Sequence, residues 1–205
     1  MTLHRCLYPV FSPRFPAGLW ITLFLIAFFA ASSDSRPLLE YQRSLAVEGE
    51  WWRLISCHFV HLSSAHFFGN AAGLLLVWLI TRSQPSAAPG IISITFCCVF
   101  VGLGLHLLAP DLAQYVGFSG TLHGMLMISA LGMARRFPEY YFFALFLCAK
   151  VAWEFSPWYD DQAMQPVIGG RVEYRAHALG LLAGGALHTI VAVCGRLQSS
   201  RRSNA

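Results

Sequence analysis

The chain has 205 residues, of which 56% are apolar and only 12% charged, whereas soluble domains carry about a quarter charged residues. An ordinary water-soluble domain is therefore excluded. The formal net charge of +4 is sorted by loop, as the order of elements shows, so it reads as an orientation signal and gives no reason to expect a nucleic-acid partner.

Charge-free stretches define the elements. No Asp, Glu, Lys or Arg falls between Arg14 and Asp34, Arg53 and Arg82, Arg82 and Asp111, Asp111 and Arg135, or Arg175 and Arg196. Each gap holds the roughly 20 apolar residues that cross a bilayer. Membrane helices are expected over about 15–33, 58–81, 88–109, 117–135 and 174–195. A further helix over 139–157 is interrupted by Lys150 and Glu154, four apart, which can pair on one helix face near a membrane surface. A cleaved signal peptide is the rival reading of the first span, since Arg14, an apolar run and the small residues Ala30 to Ser33 have that outline.

Cytoplasmic loops collect Lys and Arg. With six spans and the N-terminus inside, the inner segments hold Arg5, Arg14, Arg82, Arg135, Arg136, Arg196, Arg201 and Arg202 against the single acid Glu139. The outer segments hold Asp34, Glu40, Glu48, Glu50, Asp111, Glu154, Asp160, Asp161 and Glu173. An all-α membrane protein with both termini cytoplasmic is expected, forming one domain over residues 1–205 with a short polar tail from Arg196. Losing the first helix would break this charge pattern. The six cysteines include no Cys-x-x-Cys and read as small buried hydrophobes.

The longest outer segment, Ser32 to Ser56, contains Glu50-Trp51-Trp52-Arg53, and tryptophans beside an arginine suit the headgroup level. His61-Leu62-Ser63-Ser64-Ala65-His66-Phe67-Phe68-Gly69-Asn70 leads into the second span, with His66 and Asn70 four apart on one face. Amide and imidazole donors so placed either hold helices together or stabilise the negative charge that acyl transfer develops on a carbonyl oxygen. Gly117-Phe118-Ser119-Gly120 falls where the third outer loop becomes the fourth span. Its serine is either a helix cap or a nucleophile, and a nucleophile needs a base. The outer loop Pro157 to Arg171, with Pro166, Gly169 and Gly170, is irregular and is expected to act as a lid.

His177 supplies the base. It stands near the outer end of the last span in Ala176-His177-Ala178-Leu179-Gly180-Leu181-Leu182-Ala183-Gly184, and ionisable residues in membrane helices usually face the protein interior. Gly120 and Gly124 are four apart, as are Gly180 and Gly184, so both helices carry small-residue seams that permit close approach. If the seams meet, Ser119 and His177 meet, and a neutral imidazole beside a hydroxyl activates it.

These residues together resemble the rhomboid intramembrane proteases. Trp52-Arg53 is similar to that family's first-loop Trp-Arg, His66 and Asn70 to its His-x-x-x-Asn, Gly117 to Gly120 to its Gly-x-Ser-Gly, and Ala176-His177 with Gly180 and Gly184 to its last-helix histidine segment. The resemblance implies a six-helix rhomboid core whose cavity opens outward, with Ser119 as nucleophile, His177 as base, and His66 and Asn70 in the oxyanion hole. Gly117 and Gly120 support the serine. It implies no acidic third member, and the sequence shows none placed to serve. It implies no cofactor or metal, membrane-anchored proteins as substrates, and a bacterial inner-membrane location with the site facing the periplasm or exterior.

Where many rhomboids carry an aromatic residue four positions after the nucleophile, this chain has His123. The stretch Tyr115 to Gly124 resembles the bacterial rhombosortase branch, which is associated with proteins bearing a C-terminal Gly-Gly motif, an apolar helix and a basic tail. Two other readings are an inactive rhomboid-like protein that binds transmembrane clients, and a metal or haem protein using His58, His61, His66, His123 and His177 as ligands.

Overall fold

A computed structural model describes residues 36–84 and 87–203. The first span expected over 15–33, with Arg5, Cys6 and Arg14, lies outside the described residues. Those described are mostly helical. In chain order they form α1 (Arg36–Leu39), β1 (Tyr41–Gln42), α2 (Arg43–Val47), α3 (Arg53–Ser56), a 3-10 turn (Cys57–Phe59), α4 (Ser64–Thr81), α5 (Ile91–Leu108), β2 (Gln114–Tyr115), α6 (Ser119–Ala134), α7 (Tyr140–Glu154), α8 (Gln165–Ile168) and α9 (Tyr174–Ser203).

Local chemistry sets the boundaries. Helix α4 starts at Ser64, six residues later than the charge pattern suggests, because Ser63 is extended and its Oγ accepts the His66 N–H, a standard N-cap. Helix α5 stops before Pro110, since proline disfavours the helical conformation at the preceding residue, and Ala109 has φ −122° and ψ 69°. Its last carbonyls have no intrahelical donor. Arg43 supplies one, donating through Nη2 to His106 O at 2.9 Å and Ala109 O at 2.7 Å. Helix α9 meets no proline after Tyr174 and runs on to Ser203, through much of what the sequence suggests is a polar tail.

Helices α4, α5 and, within α9, Tyr174–Leu197 are long and apolar enough to cross a membrane. Helices α6 and α7 are shorter, at 16 and 15 residues. Helix α6 occupies the centre, packed against α4, α5, α7 and α9. Thirteen of its sixteen residues are buried, as expected of a helix apolar on every side.

The glycine seams do meet. A Cβ on Gly180 would collide with the Gly120 carbonyl oxygen, and one on Gly184 with the Gly124 carbonyl oxygen. Helices α6 and α9 are therefore in backbone contact, with their N-terminal ends side by side.

The segment before α4 is folded as well. Strand β1 pairs antiparallel with β2, Tyr41 opposite Tyr115, which braces the chain leading into α6. Arg53 is buried and donates to the Pro37 and Glu40 carbonyls at 2.8 and 2.7 Å. Trp51 and Trp52 beside it are exposed, as side chains at a headgroup level would be.

Candidate active site

Ser119 is the first residue of α6, and the preceding turn puts it there. Gly117 has φ +120°, a conformation that L side chains rarely adopt. A Cβ at Gly117 would also strike the His66 imidazole, about 2.6 Å from Cε1. Glycine is thus required twice over at this position, once for the turn and once for His66. The Gly117 N–H donates to Cys57 O at 2.9 Å, and its carbonyl accepts from Tyr115 Oη at 2.9 Å.

Ser119 Oγ lies 3.0 Å from His177 Nε2. The His177 ring is buried, and its other nitrogen, Nδ1, lies 2.9 Å from Glu154 Oε2 and 3.1 Å from Oε1. Here the structure corrects the sequence. Glu154 reads as an outer-loop acid, with no acid placed to serve His177, yet it ends α7 only 4% exposed and against the imidazole. Lys150 and Glu154 do pair, at 2.7 Å, beside the histidine, with Glu154 buried and Lys150 half-buried.

His123 is one turn below Ser119 and stacks on His177, with ring centroids 4.1 Å apart and planes at 20°. Its Nδ1 lies 2.7 Å from the Ser119 carbonyl oxygen, and its Nε2 lies 3.0 Å from Lys150 Nζ.

His66 and Asn70 approach from α4. His66, Ser119 and His177 line a cavity of about 650 Å³. Asn70 is buried one turn deeper on the His66 face. The buried atoms His66 Nδ1 and Asn70 Nδ2 have no hydrogen-bond partner in the protein, an expensive condition for polar groups. His61 packs edge-on against His66 at 5.0 Å. His58 belongs elsewhere: its Nε2 is 2.9 Å from the Cys98 carbonyl, so it ties α5 to the 3-10 turn. Among the described residues, no three His, Cys, Asp or Glu side chains converge so as to hold a metal ion.

Loop 157–171 contributes Asp161, Ile168 and Arg171 to the cavity wall. Its end is seated by Gly169, at φ +84°, against Leu62. At the same opening Arg175 donates to both Asp111 carboxylate oxygens, which holds the Asp111 carboxyl below the usual carboxylate range.

The Rhomboid domain family model matches residues 48–193, from the Trp51-Trp52-Arg53 segment to within α9. The chain belongs to the rhomboid family. Rhomboids are serine intramembrane proteases that act on membrane proteins within the bilayer, and this rhomboid is accordingly a multi-pass membrane protein. No curated protein and no solved structure matches it. Glu154 and Lys150 are what sequence reasoning missed in this rhomboid; an acid and a lysine one turn apart in an apolar helix are costly there, and that cost was the available signal.

Proposed function

We propose that this chain is an endopeptidase in which Ser119 attacks the scissile carbonyl and His177 takes its proton. The observation that carries the reading is the Ser119 Oγ to His177 Nε2 separation of 3.0 Å beside a cavity large enough for an extended peptide segment. A hydroxyl is a weak nucleophile until a base removes its proton in the attack. His177 then returns that proton to the leaving amine.

The tetrahedral intermediate carries its charge on the former carbonyl oxygen. Three donors serve it: the Ser119 N–H, which as the first in its helix has no intrahelical acceptor, the His66 imidazole and the Asn70 amide. The place of His66 on the cavity wall with Ser119 supports this role, with Asn70 buried one turn deeper on the same helix face, since such donors stabilise an oxyanion when aimed at where its charge develops. Gly117 and Gly120 keep the approaches open.

The charge bias supports a six-span core, both termini in the cytoplasm, and a cavity facing the periplasm or exterior of a bacterial inner membrane. The substrates are membrane-anchored proteins cut near that face. The rhombosortase-like stretch Tyr115 to Gly124 points to proteins ending in Gly-Gly, an apolar helix and a basic tail.

The test is incubation of the purified protein with such a tail-anchored substrate, both fragments being identified by mass spectrometry. Cleavage is expected just before the apolar helix and is expected to vanish in Ser119→Ala. A Ser119→Ala protein that still cleaves at the normal rate overturns the proposal.

A further inference from the structure

We infer that Glu154 orients His177, so that this rhomboid works with a Ser119–His177–Glu154 triad braced by Lys150. The inference rests on the proposed roles of Ser119 and His177 and adds two positioning residues to them.

The proton positions follow from groups that can act in only one way. A carbonyl oxygen only accepts, so His123 Nδ1 carries a hydrogen and donates to Ser119 O at 2.7 Å. Nε2 of the neutral His123 ring is then a lone pair. An ammonium only donates, so Lys150 Nζ donates to that lone pair at 3.0 Å and to Glu154 Oε1 at 2.7 Å. A carboxylate only accepts, so His177 Nδ1 carries a hydrogen and gives it to Glu154 at 2.9 Å. His177 Nε2 is left as the lone pair facing Ser119 Oγ, the tautomer a general base requires. Lys150 Nζ also lies 3.4 Å from His177 Nδ1, where donation would force the opposite tautomer. Its two shorter contacts, at 2.7 and 3.0 Å, fix it elsewhere.

An ordinary i,i+4 ion pair explains less. It accounts for Glu154 Oε1, which meets Lys150, but not for Oε2, which is turned to the imidazole. Stability is also a poor reason for a half-buried ion pair, because such pairs contribute little when exposed and apolar replacements are often as stable where they are buried. Neither Glu154 nor Lys150 lines the cavity. Both act from behind His177, and the Glu154 carboxylate sits where it offsets the positive charge His177 gains on taking the serine proton.

The test uses the full-length protein in detergent or liposomes, with two readouts: substrate turnover, and the rate at which a fluorophosphonate labels Ser119. Glu154→Gln keeps the shape but offers Nδ1 an amide that can donate or accept. It is expected to lower both kcat and labelling rate by up to about 10⁴-fold, the loss when such an acid becomes its amide, with KM within about threefold. Glu154→Asp is expected to recover part of the loss, and Lys150→Met to lose less than Glu154→Gln. A folded Glu154→Gln protein with wild-type kcat and labelling overturns the inference. Should Glu154→Gln not fold, a Glu154→Asp protein no slower than wild type overturns it equally, because the shorter side chain cannot hold the 2.9 Å contact in place. Ser119→Ala separates the two claims: labelling that survives in Ser119→Ala sinks the serine-protease reading itself, whereas labelling lost there but intact in Glu154→Gln removes the triad alone.

Discussion

His123 lies face to face with His177, its ring centroid 4.1 Å away, and at the same time bridges the Ser119 carbonyl to Lys150. Packing and hydrogen bonding are thus both present in one side chain. The stack limits rotation of the base, and the hydrogen bonds keep Lys150 away from His177 Nδ1.

Separating the two contributions requires a ring without nitrogens. His123→Phe keeps the stack and loses the hydrogen bonds, at about 1 kcal/mol each, so kcat should fall by roughly 5- to 30-fold. His123→Ala also loses the stack, about 0.5–1.5 kcal/mol more, and should be slower again by roughly 2- to 10-fold. Steady-state kinetics on proteins of matched melting temperature decides it. Equal rates for His123→Ala and wild type would deprive the residue of both roles.

The donors from α4 have a different signature. Asn70→Ala and His66→Ala should each reduce kcat by roughly 10- to 1000-fold, as removal of one oxyanion donor does. Any loss of folding stability should be confined to the packing of the deleted side chain, since His66 Nδ1 and Asn70 Nδ2 have no hydrogen-bond partner to lose. Turnover combined with thermal melting checks this: reduced melting with unchanged turnover in both variants would make them packing residues.

At the helix seam, one methyl group is enough. Gly180→Ala places a Cβ into the Gly120 carbonyl, and overpacking of this kind typically costs about 1–3 kcal/mol. The relief is separation of α6 from α9, which lengthens the Ser119 to His177 contact. A lower melting temperature and a fall in kcat of about 10-fold or more are therefore expected together. Gly185→Ala, where a Cβ meets nothing within 4 Å, is the control and should change neither.

Orientation is tested by single cysteines in a cysteine-free background. Asp160→Cys and Trp52→Cys should react with an impermeant reagent from outside, and Arg135→Cys only from the cytoplasm. Reaction at position 160 from the cytoplasm alone would put the cavity on the opposite face.

Glycine spacing made the central packing legible: pairs four apart on two helices permit seams, and seams that meet bring Ser119 to His177. Glu154 was legible as a costly residue in an apolar helix, but its contact with His177 was not, for an equally physical reason. Charge counting assigns acids to loops, and Lys150 four residues earlier offers a satisfying local partner. What turns the second carboxylate oxygen toward His177 is the position of α7 beside α6 and α9, a tertiary fact without a sequence period. The 36–56 segment hid its structure similarly, because Arg43 bonds to backbone carbonyls far along the chain, and Arg53, besides its Glu50 partner, donates to the Pro37 and Glu40 carbonyls.

Ser63 joins two parts of the molecule through separate atoms. Its oxygen lone pair receives the His66 N–H and closes the start of α4, while its hydroxyl hydrogen reaches the Val167 carbonyl, at 3.2 Å, in the loop that forms part of the cavity wall. Lifting that segment breaks only the second bond, an exposed one costing on the order of 1 kcal/mol, and leaves the first in place. Displacement of that segment by an incoming polypeptide would therefore leave intact the cap of the helix that carries His66 and Asn70, so that entry would be uncoupled from the geometry of the donors.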